Sequence, residues 1–437
     1  MIAILLSVVV FALLVGDLAI VHSKVSVPVS PWTRRGYEGL LVILVVVGGA
    51  VVGRKAWHTM QEPPAWDVKA YWLYGRAAAL GLNPYLPASM RAIPLPGPLP
   101  PDFESDEFNV GFPYPPPSLL LFAPMGAMPL GTATVVWVGI QLACLVVCIV
   151  LLWRMFLRDR GLGGVALVAA LTLLLPATGV TFALGQTNFL ALLLVLATWR
   201  WRDRPVSALS ILCASVVKPL YYILWLYPLL RRRWRTLLLG AIGTAVLCGI
   251  VVAIFGFDTF VTYFRNNPVK RIPYHVLIES ANTSLHALVL RHVSRAPELV
   301  FDAAAALVLL ATVWASVRAG RRAEGDELAM AVLVPAGLLL YPGALAHYTV
   351  VLLAPLIWLW SRYATTAGRG ICIALVIALV YGVTHHDAGH DAIAGTAALW
   401  ITLIILGGLP GTALAPIPVA SGYAGGSETT SAMANPS

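Results

Sequence analysis

Lys218 and Pro219 are the first candidates for a functional site, because they interrupt a stretch that is otherwise apolar. A charge inside a bilayer costs at least ~2.5–3.5 kcal/mol on insertion scales, so such a residue normally faces a cavity or a partner. Pro219 removes a backbone donor and breaks a helix at this point. The pair indicates either a functional cation in a broken helix or a lysine that extends from a helix end to the membrane surface.

Asp67 and His347 are the candidate titratable groups. Asp67 follows two prolines and stands among the aromatic residues Trp66, Tyr71 and Trp72. Partial desolvation there would raise the pKa of the carboxyl group, which suits a general base. Asp67 could instead cap the amphipathic helix that follows it. His347 lies just outside a predicted helix end, and its alternative is an interfacial histidine without a role.

Amide side chains at Gln186 and Asn188 lie in a predicted turn between two helices. They could bind sugar hydroxyls, or the turn could cap the next helix with Thr187 or Asn188, and the turn taken alone favours the cap. The cluster His385–Asp391 has metal-ligand residue types, but its spacing fits no standard site and it is interpreted as a solvated loop. The five cysteines also lack ligand spacing, so no metal is predicted.

The composition excludes several classes of protein. Of 437 residues, 59% are hydrophobic and only 11% are charged, whereas soluble domains carry about 25% charged residues. A water-soluble enzyme, a disordered chain and a disulfide scaffold are therefore excluded. The net charge of +9 indicates basic cytoplasmic loops of a membrane protein rather than a nucleic-acid partner.

Apolar runs predict an all-α polytopic membrane protein with about 12 or 13 crossings. Arginine clusters placed on the cytoplasmic side leave an even number of crossings between neighbouring clusters. The stretch 205–230 is too short for two full spans, since about 26 residues rise only ~39 Å as helix. Two short broken helices, or one re-entrant pair, are predicted to meet at Lys218 and Pro219. The other predicted runs are 2–21, 37–57, 131–153, 163–184, 186–199, 236–257, 298–319, 328–341, 348–360, 370–383 and 392–409.

The same topology predicts one membrane domain, 1–410, with large extracytoplasmic loops at 58–129 and 258–297. The remaining residues, 411–437, are rich in Gly, Ser and Ala and are predicted to form a disordered cytoplasmic tail. Lys270 and Arg271 lie on the outer side in this topology, against the usual charge bias. Either an anionic ligand such as a lipid phosphate holds them there, or a long loop translocates despite its charge.

The order of these motifs resembles glycosyltransferase family 87, which contains membrane glycosyltransferases of the GT-C class. The resemblance extends roughly from Asp67 to Trp360. It departs from the family pattern at Thr283, where Gln is usual, and at Tyr348, where a second His is usual. The motifs that carry it are Asp67, Gly81-x-Asn83-Pro84-Tyr85, Tyr114-Pro115-Pro116, Gly185-Gln186-x-Asn188, Lys218-Pro219, Asn282-x-Ser284 and His347.

The resemblance implies a GT-C bundle and an inverting transfer from a polyprenyl-phosphate sugar to a glycolipid or cell-envelope glycan acceptor. Asp67 and His347 would be catalytic, and Lys218 and Arg271 would bind the donor phosphate. No cofactor or metal is implied, and the partners are the donor, the acceptor and membrane lipids, with no nucleic acid. The residues expected to bind sugar and acceptor are Tyr71, Asn83, Tyr85, Tyr114, Gln186, Asn188, Asn282 and Ser284.

The transferred sugar is expected to be mannose in α linkage, and arabinofuranose is the alternative within the same class. The expected location is the plasma membrane, with the active site on the extracytoplasmic face. A transporter or flippase is the alternative from a different class, because broken helices around a lysine also suit transport. A non-catalytic membrane scaffold is the third possibility.

Overall fold

The chain folds as helices throughout the part that the structure describes. The computed structural model describes residues 2–23, 30–61, 66–94, 114–266, 272, 274–320, 322, 324–383 and 392–409. Within these ranges the β-structure consists of an isolated bridge between Asn282 and Leu345. The helices, numbered here in chain order, are α1 (Ile2–Ser23), α2 (Pro31–Gln61), α3 (Trp66–Ala79), α4 (Pro87–Arg91), α5 (Leu119–Gly126), α6 (Leu130–Leu152), α7 (Gly161–Leu174), α8 (Pro176–Leu184), α9 (Asn188–Arg200), α10 (Ser207–Val217), α11 (Leu226–Leu230), α12 (Trp234–Phe255), α13 (Phe257–Asn266), α14 (Tyr274–Ile278), α15 (Leu285–His292), α16 (Pro297–Ala319), α17 (Gly325–Leu340), α18 (Leu353–Tyr363), α19 (Ala367–Val383) and α20 (Ile393–Gly408).

Several helices present apolar side chains outwards, as lipid-facing helices do. Along α12, Leu238, Ile242 and Val246 are 63%, 51% and 57% exposed. Such a surface would be unstable in water and is stabilised by lipid. Five apolar helical segments of the described part are long enough to cross a membrane, and further apolar helices are shorter. The prediction of an all-α polytopic membrane protein is confirmed.

Two prolines divide apolar runs into shorter helices. The run 163–184, predicted as one segment, is broken between α7 and α8, because Pro176 lacks the amide hydrogen that would continue α7. The break predicted at Lys218 and Pro219 is confirmed. Helix α10 ends there, and a 3-10 turn over Pro219–Trp225 leads into α11. Both breaks place polar backbone and side chains inside the bundle.

Helices α3 and α5 touch along their backbones. A Cβ atom added at Gly75 would collide with the Phe122 carbonyl, and one added at Gly126 would collide with Gly75. Since neither glycine has a side chain, the two helices approach more closely than other residues would allow. This contact fixes the outer helix α3 against the segment that follows Tyr114.

Arginines from several interhelical loops meet acidic residues at one end of the bundle. Helix α9 runs from this end, at Arg200, to Asn188, which lies about 18 Å away at 1.5 Å per residue. The turn that contains Gln186 therefore lies towards the opposite end from the arginines. The ion pairs are Arg231–Asp326, Arg233–Asp326, Arg233–Asp203, Arg202–Glu327 and Arg362–Glu327.

Candidate active site

The turn between α8 and α9 supplies the first polar group of the candidate site. Gly185 has φ +70°, a conformation that favours glycine. A Cβ atom at this position would also collide with the side chain of Val68 in α3. The glycine thus lets the start of α3 pack directly on the turn. As a result Asp67, the neighbour of Val68, lies beside Gln186.

Lys218 is positioned by the break in its own helix. Its backbone is extended, with φ −150° and ψ 124°, as expected for a residue that precedes proline. The side chain is only 2% exposed. Its Nζ atom donates hydrogen bonds to Gln186 Oε1 at 3.1 Å and to Asn188 Oδ1 at 2.7 Å. It also lies 3.1 Å from the centroid of the Tyr348 ring, a cation–π contact.

The direct contacts of this ammonium group are with neutral groups. Amide oxygens and an aromatic face contact Lys218. The nearby Asp67 carboxylate acts on its charge through space, but no carboxylate of the described residues forms a direct ion pair with it. A buried charge normally requires a counter-charge, because burial without one is costly. The arrangement therefore favours an anionic ligand beside Lys218.

Gln186 links Lys218 to Asp67. Its Oε1 atom accepts from both Lys218 and the Tyr71 hydroxyl, the latter at 3.2 Å. Because the oxygen already accepts two hydrogen bonds, the amide nitrogen is the end that can donate towards the neighbouring Asp67 carboxyl group, whose pKa Gln186 lowers. The Asp67 carboxyl group and the Lys218 ammonium group therefore both lie beside the Gln186 amide.

Asp67 is half-buried in the first turn of α3. Burial raises the pKa of its carboxyl group, and the Gln186 hydrogen bond and the Lys218 charge lower it, leaving a pKa of about 6. A carboxylate with this pKa is a competent base near neutral pH. Since Asp67 lies inside the helix and bonds to Gln186, the alternative of a capping residue is not supported.

Two tyrosines extend the site from Gln186 towards a small cavity. The Tyr71 and Tyr114 hydroxyls share a hydrogen bond of 3.0 Å. Burial raises the pKa of both phenols well above the usual range, so both remain neutral hydrogen-bonding groups. The cavity next to them is lined by Tyr114, Lys218, Pro219, Tyr341 and Tyr348.

Asn188 does not cap α9, so the capping interpretation of this turn is wrong. Its Nδ2 atom donates to Thr181 Oγ1 and to the His347 carbonyl, both at 2.8 Å, while its Oδ1 atom accepts from Lys218. Thr187, at the capping position, makes no side-chain capping bond. Both amides of the motif are therefore directed at Lys218 rather than at the helix end.

His347 lies behind the residues that contact Lys218. The residue is 5% exposed, and its ring packs edge-on against the Tyr348 ring at a centroid distance of 4.7 Å. Its ring does not line the cavity described above. The contact through Tyr348 and the backbone bond to Asn188 connect His347 to the site.

Asn83 and Tyr85, expected to bind sugar, make contacts within the outer helices. Asn83 Nδ2 donates to Asp258 Oδ2 at 3.0 Å and to Thr262 Oγ1 at 3.1 Å. The Tyr85 hydroxyl donates to the Tyr114 carbonyl at 2.8 Å. These bonds join the loop after α3 to α13 and support the backbone at Tyr114.

Asn282 and Ser284 join the segment before α15 to the segment between α17 and α18. Asn282 Nδ2 donates to the Pro342 carbonyl at 2.9 Å and to the Val276 carbonyl at 3.2 Å. Ser284 Oγ donates to the same Pro342 carbonyl and accepts from the Ala287 amide at the start of α15. The structure thus uses both side chains to hold the segment that leads from Tyr341 to His347.

Asn282→Ala is expected to destabilise the protein by about 1–3 kcal/mol, because it leaves buried carbonyl groups without their donor. The measurement is thermal unfolding of the purified protein in detergent. Asn266→Ala is the matched control, since it removes a single bond, to the Tyr85 carbonyl, and should destabilise less. An Asn282→Ala protein as stable as the wild type would contradict this structural role.

Tyr341 and Tyr348 were not predicted as site residues. Both line the cavity, and Tyr348 covers the ammonium group of Lys218. Their position close to His347 in the sequence was the available signal, because residues of one short segment lie close to one another. Arg271 and the cluster His385–Asp391 lie outside the described residues.

Comparison with known protein families shows to which family the chain belongs. The model of glycosyltransferase family 87 matches residues 112–342, more than half of the sequence. The chain belongs to glycosyltransferase family 87. The family 87 match contains Gln186, Asn188, Lys218 and Asn282, whereas Asp67 and His347 lie outside it. The resemblance drawn from the motifs is confirmed.

Two curated proteins from strains of Mycobacterium tuberculosis are also similar. Each is named alpha-(1->3)-arabinofuranosyltransferase, and each is 34% identical over 142 residues. The match covers 31% of this chain and 32% of each relative, so it spans about a third of their length. No solved structure matches the chain significantly.

Proposed function

We propose that this chain is an inverting glycosyltransferase that moves a sugar from a polyprenyl-phosphate donor to a glycolipid or cell-envelope glycan. The observation that carries the proposal is the buried Lys218 ammonium, held by neutral groups and linked through Gln186 to Asp67. A donor phosphate supplies the anion that Lys218 lacks. The carboxylate at the other end of the same amide supplies the base that an acceptor hydroxyl needs.

In the proposed reaction the anomeric carbon of the donor sugar lies over the Gln186 amide. The acceptor oxygen forms a bond to this carbon and gives its proton to Asp67, while the bond from the carbon to the phosphate oxygen breaks. The electron pair stays with the phosphate, and Lys218 stabilises the charge that develops there. The sugar passes through an oxocarbenium-like state, as in glycoside hydrolysis.

The stereochemistry follows from where the two groups act. An inverting displacement requires base and leaving group on opposite faces of the reacting carbon. Asp67 and Lys218 contact opposite ends of the Gln186 amide, its nitrogen and its oxygen, which supports such an arrangement. Tyr71 and Tyr114 are then placed to hydrogen-bond the sugar, and His347 positions Tyr348 over the ammonium group.

The site is proposed to face the extracytoplasmic side of the plasma membrane. Arg202, Arg231, Arg233 and Arg362 collect at the far end of the bundle, and arginine-rich loops are typical of the cytoplasmic side. The turn at Gln186 lies towards the other end. A lipid-linked donor would keep its tail between helices while its phosphate reaches Lys218.

Arabinofuranose is the sugar that the relatives favour, because both are named arabinofuranosyltransferases. The resemblance of the motifs alone favoured mannose, which remains the second candidate. Both sugars share the donor phosphate and the need for a base, so Lys218 and Asp67 serve either one. The choice lies in the sugar-binding surface around Tyr71 and Tyr114.

The test uses the purified full-length protein in lipid nanodiscs with an envelope glycolipid fraction as acceptor. Radiolabelled polyprenyl-phosphate arabinose and polyprenyl-phosphate mannose are supplied separately, and labelled glycolipid is separated and counted. Label from the arabinose donor is expected, and label from the mannose donor alone would select the second candidate. No transfer from either donor, with both donors active in a known transferase, would contradict the proposal.

The rate of transfer is expected to fall as pH decreases through about 6. Below the pKa of Asp67, about 6, the carboxyl group holds a proton and cannot accept another, so kcat/KM should drop about tenfold per pH unit. Gln186→Leu removes the hydrogen bond that lowers this pKa. The midpoint of its pH profile should therefore move to higher pH.

Gln141→Leu is the matched control, because Gln141 is a buried glutamine that contacts the Leu190 backbone, not Asp67. Its profile should keep the wild-type midpoint. A wild-type midpoint near 4, the usual range of an aspartate, or a Gln186→Leu midpoint identical to wild type, would contradict the role of Asp67.

A further inference from the structure

A second cavity lies at the arginine end of the bundle, away from Lys218. Its volume is about 740 Å³, within the ~300–1,000 Å³ range of small-molecule sites. Its wall carries the apolar side chains Leu151, Met155 and Phe156 and the basic side chains Arg154, Arg158, Arg200 and Arg202.

The acidic side chain of this cavity is already paired. Glu327 lines the cavity, and it accepts bonds from Arg202 at 3.5 Å, from Arg362 at 3.2 Å and from Trp358 Nε1 at 2.9 Å. Arg154, Arg158 and Arg200 form no ion pair within the described part of the chain, so the wall keeps an excess of positive charge.

Two tryptophans of the lining, Trp153 and Trp199, have indole N–H groups without an acceptor among the described residues. Both Nε1 atoms are enclosed by protein, and Trp199 as a whole is fully buried. The donors that a ligand in the cavity can reach are therefore those of the exposed arginines Arg154, Arg158 and Arg200.

The backbone is also unusual where it forms the cavity. Residues Trp153–Leu157 form a π-helical turn directly after α6. Such turns are rare and occur frequently at functional sites. Here the wider turn contributes both Trp153 and Arg154 to the lining of the cavity.

We propose that this cavity binds the phosphate headgroup of an anionic phospholipid from the leaflet at the arginine end of the bundle. The cavity lies where an apolar helix of 23 residues ends, which is the depth of lipid headgroups. The arginines bind the phosphate oxygens, and the apolar side chains of the lining contact the glycerol and the first methylenes. Basic pockets between transmembrane helices bind anionic headgroups in this way.

The test compares binding of phosphatidylglycerol and phosphatidylcholine to the full-length protein in detergent, followed by native mass spectrometry. Phosphatidylglycerol is expected to remain bound, and the double variant Arg154→Gln/Arg158→Gln should bind it about 25-fold more weakly, since each arginine near an anionic headgroup contributes about fivefold. Arg232→Gln/Arg235→Gln removes the same charge at the same end, outside the cavity lining, and should change the affinity less than about twofold.

Arg154→Lys/Arg158→Lys separates a built site from general charge attraction, because it keeps both charges and removes the planar guanidinium groups that bind phosphate with two hydrogen bonds. It should also weaken phosphatidylglycerol binding, with transfer activity retained as the check on folding. Equal binding of phosphatidylcholine, equal loss in both glutamine double variants, or unchanged affinity in Arg154→Lys/Arg158→Lys would overturn the proposal. Displacement of the lipid by millimolar inorganic phosphate would also overturn it, because the ligand would then be a soluble phosphate.

Discussion

Lys218→Met is expected to lower kcat/KM for transfer by roughly 10²–10³-fold, the usual cost of removing one preorganised electrostatic group. Methionine keeps the length of the side chain but removes the charge that would stabilise the departing phosphate. Lys218→Arg keeps the charge with a different shape and hydration, so it should retain more activity than Lys218→Met. The measurement is initial-rate kinetics with the labelled lipid donor.

Lys55→Met is the control for removing a lysine from the bundle. Lys55 lies in α2 against Gly179 and has no contact with Gln186 or Asn188, so transfer should stay close to the wild-type rate. Wild-type kcat/KM in Lys218→Met would remove Lys218 from the mechanism.

Labelling of a cysteine at position 218 separates a transferase from a transporter. With the five native cysteines replaced, a membrane-impermeant thiol reagent should reach Lys218→Cys from the extracytoplasmic side, and the lipid donor should block it. A transporter would expose the same position to both sides in turn. Labelling from the cytoplasmic side in inverted vesicles would contradict both the one-sided site and the proposed topology.

Asp67→Asn is expected to reduce kcat by about 10²–10⁴-fold, the typical contribution of a general base, while donor KM changes little. Asparagine keeps the shape of the side chain and can still hydrogen-bond Gln186, so folding should be preserved. Glu298→Gln is the control for removing a carboxylate, because Glu298 is 71% exposed and its ion-pair partner is His286. An Asp67→Asn enzyme with more than half the wild-type rate would contradict the assignment of the base.

The helical architecture could be predicted because it depends on local sequence. Runs of apolar residues define α1, α6, α12 and α16 within two residues of their observed ends, whereas α2 begins six residues before its predicted run and ends four after it. The break at Pro219 was also predictable, since proline acts on its own helix. The break at Pro176 was missed because the flanking residues are as apolar as the rest of the run.

The grouping of the site residues depends on packing and could not be derived from spacing alone. The turn that holds Gln186 and Asn188 was more simply interpreted as a helix cap, and only the approach of Lys218 explains how the two amides are oriented. The contact that brings Asp67 to Gln186 depends on Gly185, whose missing side chain makes room for Val68. Asn282 and Ser284 show the opposite case, because polar residues in the expected order serve to join two loops.

The neutral surroundings of Lys218 have a consequence for turnover. A polyprenyl-phosphate sugar is a diester with one negative charge, whereas the phosphate that remains after transfer is a monoester with nearly two at neutral pH. A cation that lacks a carboxylate partner binds the more highly charged species more strongly. On the proposed mechanism the spent lipid carrier is therefore held more tightly than the donor. Release of the carrier, rather than the transfer of the sugar, would then be rate-limiting. Accumulated polyprenyl phosphate would inhibit the enzyme.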